Sequence, residues 1–367
     1  MARFITFYLP QYHPIPENDE WWGKGFTEWH NVVRAKKLFK GHKQPHLPAD
    51  LGFYDLRLEE TRVKQAELAK QSGIEGFCYW HYWFGNGKRL LERPFNEVLT
   101  SGKPDFPFCL GWANHSWKKK SWDKDGNSEI LIEQTYQGKE DYINHFNTLL
   151  PAFCDKRYIR INNKPLFVIY NTIDHPIEVK EFMQTWRKLA KDNELSDFFF
   201  VAKDADSRAK ENNIALGFDA IYNLDHINIH HNLSMIKKIW LHILREWFHM
   251  PTVFEYKDAI DYMVTKDCYN YNVFPSIAPN WDHSPRSGRK AIILHNARPQ
   301  YFKKAVLKAL EAVEHKPQEE QIVFIVSWNE WGEGNYMEPD CEFGSGNLDA
   351  LKEAIEFFNT NKNKDIK

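Results

Sequence analysis

The stretch IVFIVSWNEWGEG, residues 322–334, joins two unlike halves. Its first five residues are all apolar and mostly β-branched, with no polar alternation. A strand buried on both faces of a parallel sheet requires that pattern. The second half then supplies Asn329, Glu330 and Glu333 among tryptophans and glycines. In (β/α)8 barrels the functional groups sit at the carboxyl ends of such strands. This one segment therefore predicts both a fold class and a site.

Seven more apolar runs precede it, at 4–9, 76–80, 107–112, 166–170, 198–202, 220–224 and 273–278. Helical periodicity lies between most of them, at 59–71, 91–99, 139–153, 179–191, 256–264 and 301–313, and again at 348–358 after the last. The fifth unit is the weakest, since 206–214 must serve as its helix. Eight strands alternating with helices predict a (β/α)8 TIM barrel, a single catalytic domain over 1–367. Long loop insertions are expected after strands 1 and 6, at about 10–58 and 225–251. A doubly wound open sheet is the alternative, but it usually carries a Gly-rich phosphate turn after its first strand. Here PQYHP, residues 10–14, occupies that position instead.

Composition narrows the class. A hydrophobic share of 43% supports a sizeable core. The formal net charge of −2, from 48 basic and 50 acidic residues, argues against a nucleic-acid surface. Aromatic residues make up 15% of the chain, 14 of them Trp and 16 Tyr, more than a core alone uses. Five widely spaced cysteines indicate neither a zinc cage nor a disulfide framework; Cys78 and Cys109, inside strand-like runs, read as buried thiols. The chain opens on a strand and has no long apolar span, so the expectation is a cytoplasmic protein without a signal peptide.

The residues just beyond each strand test the fold. The ends carry Gln11, Tyr12 and His13; His81, Tyr82 and Trp83; Asn114, His115 and Trp117, just beyond Trp112; and Asn171 with Asp174. Later ends carry Lys203 and Asp204; Asp225 and His226; Asn280, Trp281, Asp282 and His283, with Arg286 close behind; and Trp328, Asn329, Glu330, Trp331 and Glu333. Aromatic faces pack on pyranose C–H patches, and Asn, Asp and His bond hydroxyls. Glycosidic cleavage needs a pair of carboxyl groups, and Glu330 with Glu333 is the best pair. Gly332 and Gly334 are expected to turn the backbone so that both face the barrel mouth.

These residues closely resemble the WbsX family of polysaccharide-locus proteins, which is related to the endo-α-mannosidases of glycoside hydrolase family 99. The resemblance covers nearly the whole chain. It rests on FYLPQYHPIPENDEWWGKGFTEW (7–29), GFCYWHYWF (76–84), WAN (112–114), WDHSPR (281–286) and WNEWGEGNYMEPD (328–340). It implies a retaining, metal-independent barrel in which Glu330 acts as base on the substrate's 2-hydroxyl. Glu333 would then protonate the leaving oxygen and later activate water. Where the mannosidase motif has His between the pair, this chain has Gly332.

The resulting expectation is a retaining glycoside hydrolase, endo-α-mannosidase-like, acting on a bacterial surface or capsular oligosaccharide or polysaccharide. A glycosyltransferase of polysaccharide biosynthesis and an inactive carbohydrate-binding barrel are the alternatives. Asp204-Ala-Asp206 is the nearest approach to a metal-binding transferase motif. No cofactor is expected. Sixteen histidines without HExxH spacing give no metal site either. Trp21, Trp22 and Trp29 suit either a sugar platform or a staple for the long loop, and Asp282 and Arg286 either clamp substrate or pair with each other. Residues 236–248 (IKKIWLHILREWF) place apolar side chains along one helical stripe with basic residues opposite. The expectation is a helix packed on the barrel as a lid or dimer contact. Peripheral attachment to the inner membrane face is the alternative.

Overall fold

The computed structural model of the protein describes residues 2–119, 129–204, 209–224, 229 and 233–365. Its centre is a barrel of parallel strands: β1 (Arg3–Tyr8), β2 (Ile74–Trp83), β3 (Phe108–Trp112), β4 (Lys164–Ile169), β5 (Phe199–Asp204), β6 (Ala220–Asn223), β7 in two pieces (Val273–Phe274 and Ser276–Ile277) and β8 (Ile322–Ile325). Counted by segments there are nine parallel strands. The two pieces of β7 are one run split at Pro275. Its first piece pairs with β6 (Ile221 beside Val273) and its second with β8 (Ser276 beside Phe324). Because β8 also pairs with β1, Ile325 beside Thr6, the sheet nearly closes on itself.

The predicted barrel is therefore present, with β2 longer than its apolar run and β7 broken by a residue that has no N–H to donate. Helices α1 (Pro16–Trp22) and α2 (Trp29–Arg34) lie in the first insertion. Around the sheet run α3 (Glu59–Ser72), α4 (Arg93–Ser101), α5 (Lys139–Phe153), α6 (Pro176–Asp192) and α7 (Ala209–Leu216). The second insertion holds α8 (Met235–Phe248). Helices α9 (Tyr256–Met263), α10 (Ser284–Ser287), α11 (Pro299–Val313) and α12 (Gly346–Asp365) come after it.

Side chains alternate along each strand between the barrel interior and the helix layer. Phe7 of β1 stacks on Trp80 of β2 at 4.7 Å and on Phe324 of β8 at 5.3 Å, and Tyr222 of β6 closes the layer. On the outside, Trp112, Phe182 and Trp186 pack between sheet and helices. Cys78 and Cys109 are buried free thiols.

Two small additions rim the carboxyl end of the barrel. Trp117–Lys119 pairs with Glu129–Ile132 after β3. Thr252–Glu255, Ile292–His295 and Trp281–Asp282 form a three-stranded sheet beyond β6 and β7. Sequence periodicity does not indicate either one, since both are built from very short strands. Helix α8 corrects the expectation of a lid. It has no buried residue, so its apolar stripe is not packed against the barrel. No helix among the described residues is long and apolar enough to cross a membrane. Asp206, Asp225 and His226 lie outside the described residues, as does the side chain of Asp204.

Candidate active site

At the carboxyl end of the barrel a cavity of about 510 Å³ opens between the strand ends. Its floor is Phe7, Trp80 and Tyr222, and its walls include Tyr82, His115, Tyr170, Lys203, Trp281 and His283. Arg286, Glu330 and Glu333 complete it. A second pocket of about 530 Å³ shares Gln11, His115, Trp117 and Arg286 with the first and adds Trp22, Phe26 and Glu28. Together they form an elongated cleft with aromatic walls.

The loop after β8, which carries Glu330 and Glu333, is fastened from behind. Asn329 accepts from the Leu9 amide at 2.8 Å and donates to the Leu9 carbonyl at 3.0 Å, tying the end of β8 to the end of β1. The Tyr12 hydroxyl donates to the Asn329 carbonyl and accepts from the Trp331 amide. Ser327 Oγ accepts from the Glu330 amide. Glu338, wholly buried, accepts from Tyr54 Oη, Gln65 Nε2 and Trp331 Nε1 at 2.6–2.8 Å. Burial lifts its pKa to about 7, against the pull of those donors.

Arg286 organises the charges. Its Nη1 donates to Glu333 Oε1 at 2.6 Å and to Glu330 Oε1 at 3.1 Å, while Nε donates to Glu28 at 3.1 Å. His283 Nε2 stands 3.3 Å from the same Glu333 oxygen, and its Nδ1 is held by Ser287. Burial, then the neighbouring Glu333 charge, pushes Glu330 up to about 8 despite Arg286. Burial works against ionisation of Glu333 as well, but Arg286 and His283 outweigh it and hold that carboxyl well below its ordinary range. At neutral pH the pair thus carries one proton, resting on Glu330. Burial also lowers Lys203 to about 8, with the Glu333 charge resisting; its ammonium lies 3.5 Å from the centre of the Tyr170 ring.

Gly334 has φ +57°, and a Cβ there would meet the Asp282 backbone. Gly332 has ordinary φ and is needed for space: a Cβ would come within 2.2 Å of Glu28 and 2.9 Å of Arg286. The buried Glu28–Arg286 pair fills the room a side chain at 332 would take.

Of the residues expected from sequence, Gln11, Tyr82, His115, Trp117, Lys203, Trp281, His283, Arg286, Glu330 and Glu333 line the cavity, and Trp22 lines the second pocket. The others do not. His81 faces the helix layer, its Nε2 2.8 Å from that of His145, and burial lowers both rings well below the usual histidine range. Trp112 donates to the Trp83 carbonyl, and Trp328 is buried against Phe77. Trp331 stacks on Tyr336 at 3.7 Å. His13 is buried outside the cavity lining. Asn114 ties strand ends together through the Asn171 amide and carbonyl; Asn171 itself donates to Asp174, and Asn280 accepts from the Tyr336 amide. Asn329 is occupied with Leu9. Asp282 neither clamps nor pairs with Arg286; it accepts from His42 at 2.7 Å and Gln44 at 2.6 Å. Trp29 is a buried staple, donating to the Tyr54 carbonyl. Strand parity is the physical reason for the first two misplacements: Trp80 and Tyr82 face in, so His81 faces out, and Trp112 falls likewise between Gly111 and Ala113. Sequence reasoning misses Glu28, Tyr170 and Tyr222. Parity can find the two tyrosines, but nothing local marks Glu28.

A barrel with a carboxylate pair in an aromatic cleft defines a class of protein rather than an individual, and the comparisons agree. The family described as "Glycosyltransferase WbsX" matches residues 4–351, and the chain belongs to that family. It thereby falls among carbohydrate-active enzymes. It is 36% identical over 365 residues to WxcX of Xanthomonas campestris pv. campestris, covering 96% of this chain and 50% of the relative. The chain spans about half the length of the curated relatives it matches. In fold it is similar to the family 99 endo-α-mannosidase of Bacteroides thetaiotaomicron, with TM-score 0.58 and 14% identity over 98% of each chain. A glycoside hydrolase-like protein matches with the same TM-score and identity over 96% of this chain and 93% of its own.

Proposed function

We propose that the chain is a retaining enzyme that breaks an α-glycosidic bond within a bacterial surface or capsular glycan. The observation that carries this reading is the pair Glu330 and Glu333, bridged by one nitrogen of Arg286 and sharing one proton. Their oxygens are no farther apart than two hydrogen bonds laid end to end. That leaves no room for the water an inverting pair holds between carboxyls about 6.5–9.5 Å apart. The elongated cleft suits an oligosaccharide running through the site.

In the roles implied by the resemblance, Glu330 takes the proton of the 2-hydroxyl, O2 closes on C1, and Glu333 gives its proton to the departing oxygen. Water then gives a proton to Glu333 as its oxygen bonds C1, the C1–O2 bond breaks and Glu330 returns its proton to O2, which restores the starting protonation. The free site holds the proton on the other partner, so substrate binding must transfer it. A turn of Arg286 from Glu333 toward Glu330, over a difference of half an ångström, favours that transfer.

The family's description favours a second reading, glycosyl transfer, in which a sugar hydroxyl replaces water in the last step. Purified protein incubated with defined α-linked oligosaccharides and with sugar nucleotides, products read by mass, separates the two. Shortened oligosaccharides mean hydrolysis and lengthened ones transfer. No product from any oligosaccharide, with turnover of a sugar nucleotide, overturns the proposal.

A further inference from the structure

One charge in the cavity has no counterpart. The charged side chains lining it are Lys203, Arg286 and Lys290 against Glu330 and Glu333. Arg286 is engaged by Glu28, Glu330 and Glu333, and Lys290 is exposed to water. Lys203, near the end of β5, has neither kind of relief. Its ammonium stands over the face of the Tyr170 ring, and among the described residues no carboxylate pairs with it and no oxygen accepts from it. The ring face attracts the charge, yet the donors of the ammonium stay open to a ligand.

A cation withdrawn from water is costly unless an anion meets it. The cavity floor of Phe7, Trp80 and Tyr222 supplies none, and Glu333 is held by Arg286 and His283. His115 lines the same cavity and offers no anion either; burial, then the Lys203 charge, lowers that ring to about 4. The missing anion must come with the substrate. Glu330 follows β8 and Lys203 lies on β5, three strands away in a barrel of eight, so the two face each other across the mouth. In a pyranose, C5 is the ring atom opposite C2. A sugar whose 2-hydroxyl lies at Glu330 thus turns its C5 substituent toward Lys203.

We propose, resting on the glycan reading above, that the cavity selects an acidic sugar: a hexuronic acid whose C5 carboxylate is bound by the Lys203 ammonium. Lys203 is then a specificity residue, recognising the ring on which Glu330 and Glu333 act. A neutral hexose offers the same ring to the aromatic walls but leaves the ammonium without an anion. A small free anion offers the charge but nothing for those walls to hold.

The test is quenching of tryptophan fluorescence on titration with methyl α-glycosides, since Trp80, Trp117 and Trp281 line the cavity. The methyl glucuronoside and mannuronoside should bind at least about tenfold more tightly than the matching glucoside and mannoside, the scale of one hydrogen bond to a charged group. Lys203→Met should abolish that preference and leave the neutral affinity unchanged. Its melting temperature should be no lower than wild type, because a desolvated charge is lost. Lys203→Arg should keep the preference, and keep it as the pH rises through about 8, where wild type loses it with the lysine's proton. Equal affinity for the acidic and neutral glycosides, or a Lys203→Met variant that weakens both alike, overturns the proposal and leaves the glycan reading standing. Acetate or phosphate binding as tightly as the uronosides also overturns it, assigning Lys203 to a free anion. No response to any glycoside overturns both readings together.

Discussion

Arg286 faces three carboxyl groups, those of Glu28, Glu330 and Glu333. Removing either member of the pair removes a proton-transfer role. Glu330→Gln and Glu333→Gln should each cut turnover by at least about a hundredfold with the fold intact. A substrate whose leaving group needs no proton separates the roles: cleavage should survive in Glu333→Gln and fail in Glu330→Gln. The reverse result would exchange acid and base. Stability gives an independent reading of the raised carboxyl. Below its ordinary value of 4.5 both folded and unfolded chains hold the proton; between there and about 8 only the folded chain does. The stabilisation this provides is full at low pH and is lost as pH rises through the folded value. Melting temperatures between about pH 5 and 9 should therefore fall more steeply for wild type than for Glu330→Gln. Parallel curves would show that Glu330 is not raised. At Gly332 the prediction is steric. Alanine should displace Glu28 or Arg286, costing about 1–3 kcal/mol of stability and most of the activity. Unchanged denaturation and turnover would mean that the ion pair does not position the carboxylates.

Elements carry the site more than single side chains do. The loop after β8 is held by Asn329, Tyr12, Ser327 and Glu338, and only its front presents Glu330 and Glu333. Glu338→Ala would strand the donors of Tyr54, Gln65 and Trp331 in a dry interior. Unfolding in urea should show a loss of about 2 kcal/mol or more. A negligible change would put those donors in contact with water. The same division explains what is legible in the sequence. The strand run and its carboxylates stand out because apolar continuity and a sudden cluster of chemistry are local patterns. Asn329, Trp328 and Trp331 pass for sugar contacts because sequence proximity to a site looks the same as membership of it. Their inward turn depends on Leu9, Glu338 and Tyr336, contacts that no local window brings into focus. His81 and Trp112 are different, since alternation along β2 and β3 assigns them to the outer face once Trp80 and Tyr82 are placed inside.

For the molecule as a whole, closure of the barrel hangs on its one broken strand, β7. The two pieces of β7 meet their neighbours over two residues each, on either side of Pro275, while β1 and β2 pair over five. Few backbone hydrogen bonds on a segment mean a low cost of local opening. Amide exchange followed by mass spectrometry should be fastest, among the barrel strands, at β7 and the facing edges of β6 and β8. Uniform protection around the barrel would contradict this. The long-range fastening at the opposite side of β8 has another outcome. Leu9 leaves the ribosome 320 residues before Asn329, its partner in two hydrogen bonds. Translation thus delivers the anchor of the loop after β8 with the first barrel strand and the loop itself only with the eighth. A nascent chain lacks the pair Glu330 and Glu333 while the other seven strands are being made, so the proposed glycan chemistry waits for the eighth strand.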